Sequence, residues 1–134
     1  HTIYTCFGRK RVFYDRPDSI LPEAIAYGPQ GTVAQALNMG LLRAAHDEKL
    51  RSLGFEMLLQ VHDAIGFQAP FEHTTAVCKR LMELMLVEVP ITRRGIDPYT
   101  ITIPVEMEIG GNWGKTSETN PTGMKSWKDD APNQ

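Results

Sequence analysis

Two short apolar segments separated by one polar pair constrain the fold of this chain more than any other feature. The segments read FEMLLQV (residues 55–61) and AIGFQAP (residues 64–70), and only His62 and Asp63 lie between them. So short a junction predicts an antiparallel hairpin with the His-Asp pair at its tip. Asp63 is then presented to its surroundings instead of being buried within a strand.

The other patterns predict an α+β domain, an antiparallel sheet with helices on one face. Its predicted elements are, in order, a β-hairpin over residues 2–14, a short helix from residue 20, a long helix from residue 30 to about residue 54, the hairpin over residues 55–70, a helix over residues 73–88, a loop over residues 90–98 and a strand over residues 99–109. The helical pattern is interrupted at Gly28-Pro29 because proline lacks a backbone donor. We expect one domain over residues 1–114 and a polar C-terminal tail over residues 115–134.

Composition sets the class of protein. The 134 residues are 42% hydrophobic and 22% charged, as in a soluble globular domain, and too few for a whole replicative enzyme. No apolar run is long enough to span a membrane and no signal peptide is evident, so we expect a cytoplasmic protein without a membrane partner. Cys6 and Cys78 are expected to be free thiols. The chain starts at His1 instead of Met, which suggests a piece of something longer.

The His-Asp pair is the first candidate for chemistry. A carboxylate at a hairpin tip suits phosphoryl transfer with two Mg²⁺ ions, since hard cations take oxygen ligands and a strand end fixes their position. The alternative is purely local, because Asp is common in turns, where it bonds to the backbone.

Four segments, in order along the chain, resemble landmarks of the family A, polymerase-I-like DNA polymerases. They are GRKR (residues 8–11), similar to the family's GRRR-type strand turn; PQGTVA (29–34), similar to its PxQGTAAD or phage-type PQSTVAD helix start; LQVHDA (59–64), similar to its QVHDE motif; and PVEM through NW (104–113), similar to its last strand and ENW. The chain thus resembles the C-terminal part of the palm domain, and its VHDA and PQxTVA forms resemble the phage-type branch.

The resemblance implies part of a DNA-directed DNA polymerase, which transfers a nucleotide from a dNTP to a primer 3′-hydroxyl by two-metal catalysis. Asp63 is implied to bind the two Mg²⁺ ions, for which this chain supplies one protein ligand. His62 is implied to lie beside the primer terminus, as a catalytic and DNA-binding residue. Primer-template DNA and dNTP are the implied partners.

Further DNA contacts are implied at five positions. Gln30 matches a glutamine whose amide reaches minor-groove acceptors shared by all base pairs, and otherwise it is a plain helix-start amide. Gln60 is implied to hold the site residues in place; the alternative is that its amide only bonds the strand backbone. Arg9, Lys10 and Arg11 contact the DNA backbone or form a solvated hairpin face, and strand alternation lets at most two of them point the same way. The net charge of −2 excludes only a wholly basic surface.

The chain departs from the family pattern in several places. Ala64 replaces the Glu that usually follows the aspartate, and Ala26 and Pro22 stand where the family has Asn and Arg. The tail beyond Trp113 is longer than the usual ending. No DYSxxE-like strand and no RxxxKxxxFGxxYG-like helix is present, so the first catalytic aspartate and the triphosphate-binding helix are missing. We therefore expect a fragment or split subunit, inactive until it joins the remaining palm and the fingers.

Two other functions remain open. A palm remnant that binds primer-template DNA without catalysis would spare DNA binding when Asp63 is removed. A metal phosphohydrolase of the HD type is suggested by His62-Asp63 alone, but it needs further histidines on helices, and His1, His46 and His73 show no such pattern.

Overall fold

The computed structural model describes residues 1–128. Three helices are present, α1 (Pro17–His46), α2 (Glu48–Ser52) and α3 (Thr74–Met85), with a short 3-10 helix at Phe71–His73. The strands form four antiparallel pairs, β1 (Thr2–Tyr4) with β2 (Lys10–Val12), β3 (Glu56–Val61) with β4 (Ala64–Gln68), β5 (Glu88–Arg93) with β6 (Ile96–Thr102), and β7 (Glu108–Ile109) with β8 (Lys125–Ser126). The predicted α+β class is confirmed.

The sheets are smaller than the predicted single sheet. Within residues 1–128, each of the four is two-stranded, so every strand pairs on one side only and leaves its other edge without a backbone partner. An isolated two-stranded hairpin is marginally stable in water, and each of these therefore depends on what it packs against.

Helix α1 is continuous where a break was predicted at Gly28-Pro29. The hydroxyl of Thr32 donates to the Gly28 carbonyl over 2.7 Å and accepts from the Cys6 backbone N–H over 3.1 Å. Thr32 is buried, as is Thr5, whose hydroxyl bonds the side chain of Gln35. The β1–β2 hairpin thus packs on this part of the helix, and these tertiary contacts outweigh the local cost of proline.

The end predicted near residue 54 was also wrong for α1, which ends at His46. The Asp47 carboxylate accepts from the Leu50 backbone N–H over 2.8 Å and begins α2 as an N-cap. Gly54, with φ of 76°, follows that short helix.

The loop predicted over residues 90–98 is instead the β5–β6 hairpin. Gly95 has φ of 79° in its turn, a conformation that glycine adopts without steric cost. Pro90 and Pro98 are tolerated because a two-stranded sheet consists only of edge strands. The predicted long strand stops at Thr102, before Pro104, and pairing resumes only in β7.

The core lies between α1 and α3. Its buried members are Ala44, Leu50, Val77, Leu81 and Met85. The helix predicted over residues 73–88 is α3, which is shorter and ends at Met85, and its helical spacing places three of these residues on the side that meets α1. A smaller cluster joins α1 to β5 through Ala36, Val87 and Val89.

Residues 108–126, here called the C-terminal lobe, fold back on themselves. Beyond the β7–β8 pair, Gly111 N–H donates to the Thr122 carbonyl and Met124 N–H to the Gly114 carbonyl, over 2.7 and 2.6 Å. The predicted division of the chain after residue 114 stays a prediction, and its last residues, 129–134, lie outside the described part. Within residues 1–128, none of the helices has the length and apolarity that crossing a membrane requires.

Candidate functional site

The predicted hairpin with the His-Asp pair at its tip is confirmed. Strands β3 and β4 pair down to Val61 and Ala64, and His62 and Asp63 form the two-residue turn. The register shifts once, between Met57 and Leu59. The backbone hydrogen bonds between β3 and β4 therefore fix the position of the turn.

His62 holds an uncommon backbone conformation. Its φ is 53°, and it is the only residue other than glycine with positive φ in residues 1–128. A positive φ at the first central residue of a two-residue hairpin is usually left to glycine, as in type II′ turns. Such strain is of order 1–3 kcal/mol and often marks functional positions.

The Asp63 carboxylate is exposed and unengaged. In the described part of the chain it has no hydrogen-bond or ion-pair partner. Across residues 1–128, no three acids, histidines or cysteines are grouped to hold a metal ion. Asp63 can thus offer oxygen ligands, but the described residues do not complete a metal centre around it.

Gln60 connects the hairpin to α1. Its side-chain amide donates to Asn38 Oδ1 over 3.4 Å, which places Asn38 beside the site although the sequence patterns did not single it out. Gln30 is exposed on the same helix, eight residues earlier, which corresponds to about 12 Å along the axis. The three amides thus lie on or against one helix, two of them in contact.

The basic residues of the β1–β2 hairpin differ in their engagement. Arg11 forms an ion pair with Glu23, and its guanidinium lies 5.0 Å from the ring centre of Phe13. Arg9 and Lys10 are exposed and have no ion-pair partner within residues 1–128. Of the two predicted DNA-binding arginines, Arg9 is therefore the one with an uncommitted charge.

A cleft of about 730 Å³ adjoins the hairpin, between β4, the start of α3 and the C-terminal lobe. Phe67, Phe71 and Trp113 are its aromatic walls. Gly66, on β4, lies under the Trp113 ring. A glycine inside a strand is a signal of such a close approach, although its partner cannot be read from the pattern.

Comparison with known proteins bears on the family. No protein-family model matches the chain, and no solved structure gives a significant match. The thermostable DNA polymerase I of Thermus aquaticus is 31% identical over 123 residues, 87% of this chain and 14% of that protein. The DNA polymerase I of Deinococcus radiodurans is 30% identical over 125 residues, 85% of this chain and 12% of that protein.

A third relative agrees with these two. The DNA polymerase I of Chloroflexus aurantiacus is 29% identical over 121 residues, 86% of this chain and 12% of that protein. The chain thus spans 12–14% of the length of these relatives. Its likeness to the phage-type branch stays a prediction. Matches that cover most of the chain confirm the resemblance seen in its motifs: the chain is homologous to a segment of the family A, polymerase-I-like DNA polymerases.

Proposed function

We propose that this chain is the C-terminal palm segment of a DNA-directed DNA polymerase, which transfers nucleotides from dNTP to a primer 3′-hydroxyl. Asp63 supplies one of the two carboxylates that bind the catalytic Mg²⁺ ions. One observation carries the proposal: a carboxylate with no partner within residues 1–128 stands at the tip of a two-stranded hairpin, in a chain whose relatives are DNA polymerase I. Positioned carboxylates are what two-metal phosphoryl transfer requires.

The proposed metal role fits the local chemistry of Asp63. Mg²⁺ prefers oxygen ligands and keeps several waters, so an exposed carboxylate that no cation of residues 1–128 pairs with suits it. When bound, the two ions activate the attacking hydroxyl and neutralise charge on the leaving group. The contribution of this chain is to hold one carboxylate in place, with Ala64 where the family has a second acid.

The surface around the turn supports the proposed need for a partner. All six residues of β3 are exposed, and its Met57, Leu58, Leu59 and Val61 side chains are 37–52% accessible. An apolar strand with an open edge and exposed faces is a surface that folded proteins usually cover. The proposed cover is the remaining polymerase segment or split subunit, which carries the first catalytic aspartate and the fingers.

The DNA contacts are proposed on exposed polar groups. His62 projects at the turn, where an imidazole can donate to a sugar or base acceptor of the primer terminus. Gln30 offers an amide for the minor groove, and Gln60, bonded to Asn38, supports the hairpin. Arg9 is the proposed phosphate contact, with Arg11 restricted by its ion pair to Glu23.

A chimera tests this proposal. The chain replaces its matching segment in the Thermus aquaticus polymerase, and primer extension is measured with Mg²⁺. We expect extension by the chimera and a loss of about a thousandfold or more in Asp63→Ala, equivalent to several kcal/mol of lost transition-state stabilisation. The matched control is Asp97→Ala, which removes an exposed acid on β6 and should extend normally. Undiminished extension by Asp63→Ala, with both variants folded, would contradict the proposal.

A non-catalytic palm remnant is the second candidate, favoured by Ala64 and by the lack of a complete metal cluster in residues 1–128. It predicts that a folded chimera binds primer-template DNA as tightly as the parent polymerase does. It also predicts that no extension occurs at any Mg²⁺ concentration.

A further inference from the structure

The Trp113 side chain is 62% exposed, but the residues on either side of it are tied together by hydrogen bonds within the C-terminal lobe. The side chains of Asn112 and Asn120 exchange two amide hydrogen bonds, of 2.8 and 3.0 Å. Asn112 Oδ1 also accepts from the Gly114 backbone N–H over 2.9 Å, and Asn120 donates to the Lys115 carbonyl over 3.2 Å. The residues before and after Trp113 therefore belong to one closed network, which limits the positions that the indole can take.

The indole of Trp113 lies directly on the backbone of β4. A Cβ atom added at Gly66 would overlap the tip of the indole and would lie 3.0 Å from Leu59 Cγ. Leu59 is the partner of Gly66 across the ladder, so the ring and this leucine together cover the glycine. Gly66 is buried, and no larger residue fits there without displacing Trp113.

The neighbours of Gly66 on β4, Ile65 and Phe67, pack against the main core. Strand β4 is thus held by the core at Ile65 and Phe67 and by Trp113 at Gly66. A two-stranded hairpin gains little stability alone, so both contacts matter for its position.

The turn needs such support. His62 is held at φ of 53°, and strained residues persist only where the surrounding structure determines them. Gly66 lies three residues beyond Asp63, about 10 Å along the strand. We propose that Trp113 is a positioning residue, which packs on Gly66 and fixes the hairpin so that its turn presents His62 and Asp63 in one orientation. Only the catalytic consequence of this role depends on the function proposed above for Asp63.

Amide hydrogen exchange in the 134-residue chain tests the positioning role directly. We expect Trp113→Ala to speed exchange at Val61 and Ala64, the last pair before the turn, about tenfold or more through local opening, with Leu81 in the core unchanged. The matched control is Trp127→Ala, which removes the other tryptophan and should leave the turn unchanged. Unchanged exchange at Val61 and Ala64 in Trp113→Ala would overturn the inference.

Two further variants cover the case in which Trp113→Ala unfolds the chain. Trp113→Phe keeps an aromatic ring but shortens it, and should loosen the turn alone; turn exchange equal to that of the unsubstituted chain would overturn the inference. Gly66→Ala should loosen the turn when Trp113 is present and add little to Trp113→Phe. If the effects of the two substitutions on exchange at the turn simply add, the two residues act independently, which would also overturn the inference.

The chimera then separates positioning from mere stability. Trp113→Phe should lower kcat several-fold and leave KM for dNTP and the midpoint of thermal unfolding nearly unchanged. Where Asp63→Ala has abolished extension, a loosened turn with normal kcat would overturn the positioning role. Failure of Asp63 as a metal ligand is detected separately, by normal extension in Asp63→Ala, and does not alter the exchange result.

Discussion

Helices α1 and α3 bury the surface that they share, whereas strand β3 leaves all six of its residues exposed. Leu81 of α3 is 1% accessible, and Leu58 of β3 is 48% accessible. Both are leucines in regular structure, and they differ only in whether this chain supplies something to cover them. The apolar surface of the helices is therefore buried within this chain. The apolar surface of β3 is not covered by any part of residues 1–128.

Two aspartates differ in a similar way, in whether their charge is paired. Asp47 accepts from Arg80 Nη2 over 2.6 Å and from the Leu50 backbone N–H, and these bonds hold the pKa of its carboxyl below the usual range. Asp63 has no partner within residues 1–128. One acid contributes to the fold, and the other is available to a ligand.

The largest expected effect on stability separates the two leucines. Leu81→Ala should lower the free energy of unfolding by about 2–5 kcal/mol, because it leaves a cavity in the core. Leu58→Ala should lower it by less than about 1 kcal/mol, since that side chain is half exposed. Urea unfolding measures both. Equal losses would mean that β3 is as well covered as the core.

The next effect is the pH dependence that Asp47 gives to stability. Because the folded pKa of Asp47 is lowered, its contribution is complete above the unfolded value of about 3.9 and is lost as pH falls through the folded pKa. Asp47→Asn should therefore lose stability at neutral pH and show a weaker acid-induced loss. Thermal unfolding between pH 2 and 7 measures both effects. An acid profile unaltered by Asp47→Asn would contradict the assignment.

The smallest effect concerns the two arginines. Arg9→Ala should weaken binding of the chimera to primer-template DNA and reduce the slope of log affinity against log salt by about one, as for one lost phosphate contact. Arg11→Ala should change that slope less, because Arg11 is bound to Glu23. Titrations at several salt concentrations measure this, and a larger change for Arg11 would reverse the order proposed here.

Local patterns predicted the elements whose causes are local. The β3–β4 hairpin follows from a polar pair between two apolar runs, and the helix predicted over residues 73–88 corresponds to α3. None of these needs information from a distant part of the chain.

The elements that were predicted wrongly depend on distant contacts. Helix α1 continues through Pro29 because Thr32 bonds Cys6 from the β1–β2 hairpin. The loop predicted over residues 90–98 lies within the β5–β6 hairpin, where prolines are tolerated because both strands are edges. The contact of Trp113 with Gly66 could not be predicted from the sequence either, since no periodicity relates residues so far apart.

A change of metal specificity tests the central claim most directly. In the chimera, Asp63→Cys replaces a hard oxygen ligand with a sulfur ligand that binds Mg²⁺ poorly and softer ions better. We predict that Asp63→Cys loses extension with Mg²⁺ and recovers part of it with Mn²⁺ or Cd²⁺, whereas Asp63→Ala recovers none. Equal activity of Asp63→Cys and the unsubstituted chimera with Mg²⁺ would show that the carboxylate at this turn does not bind the catalytic metal.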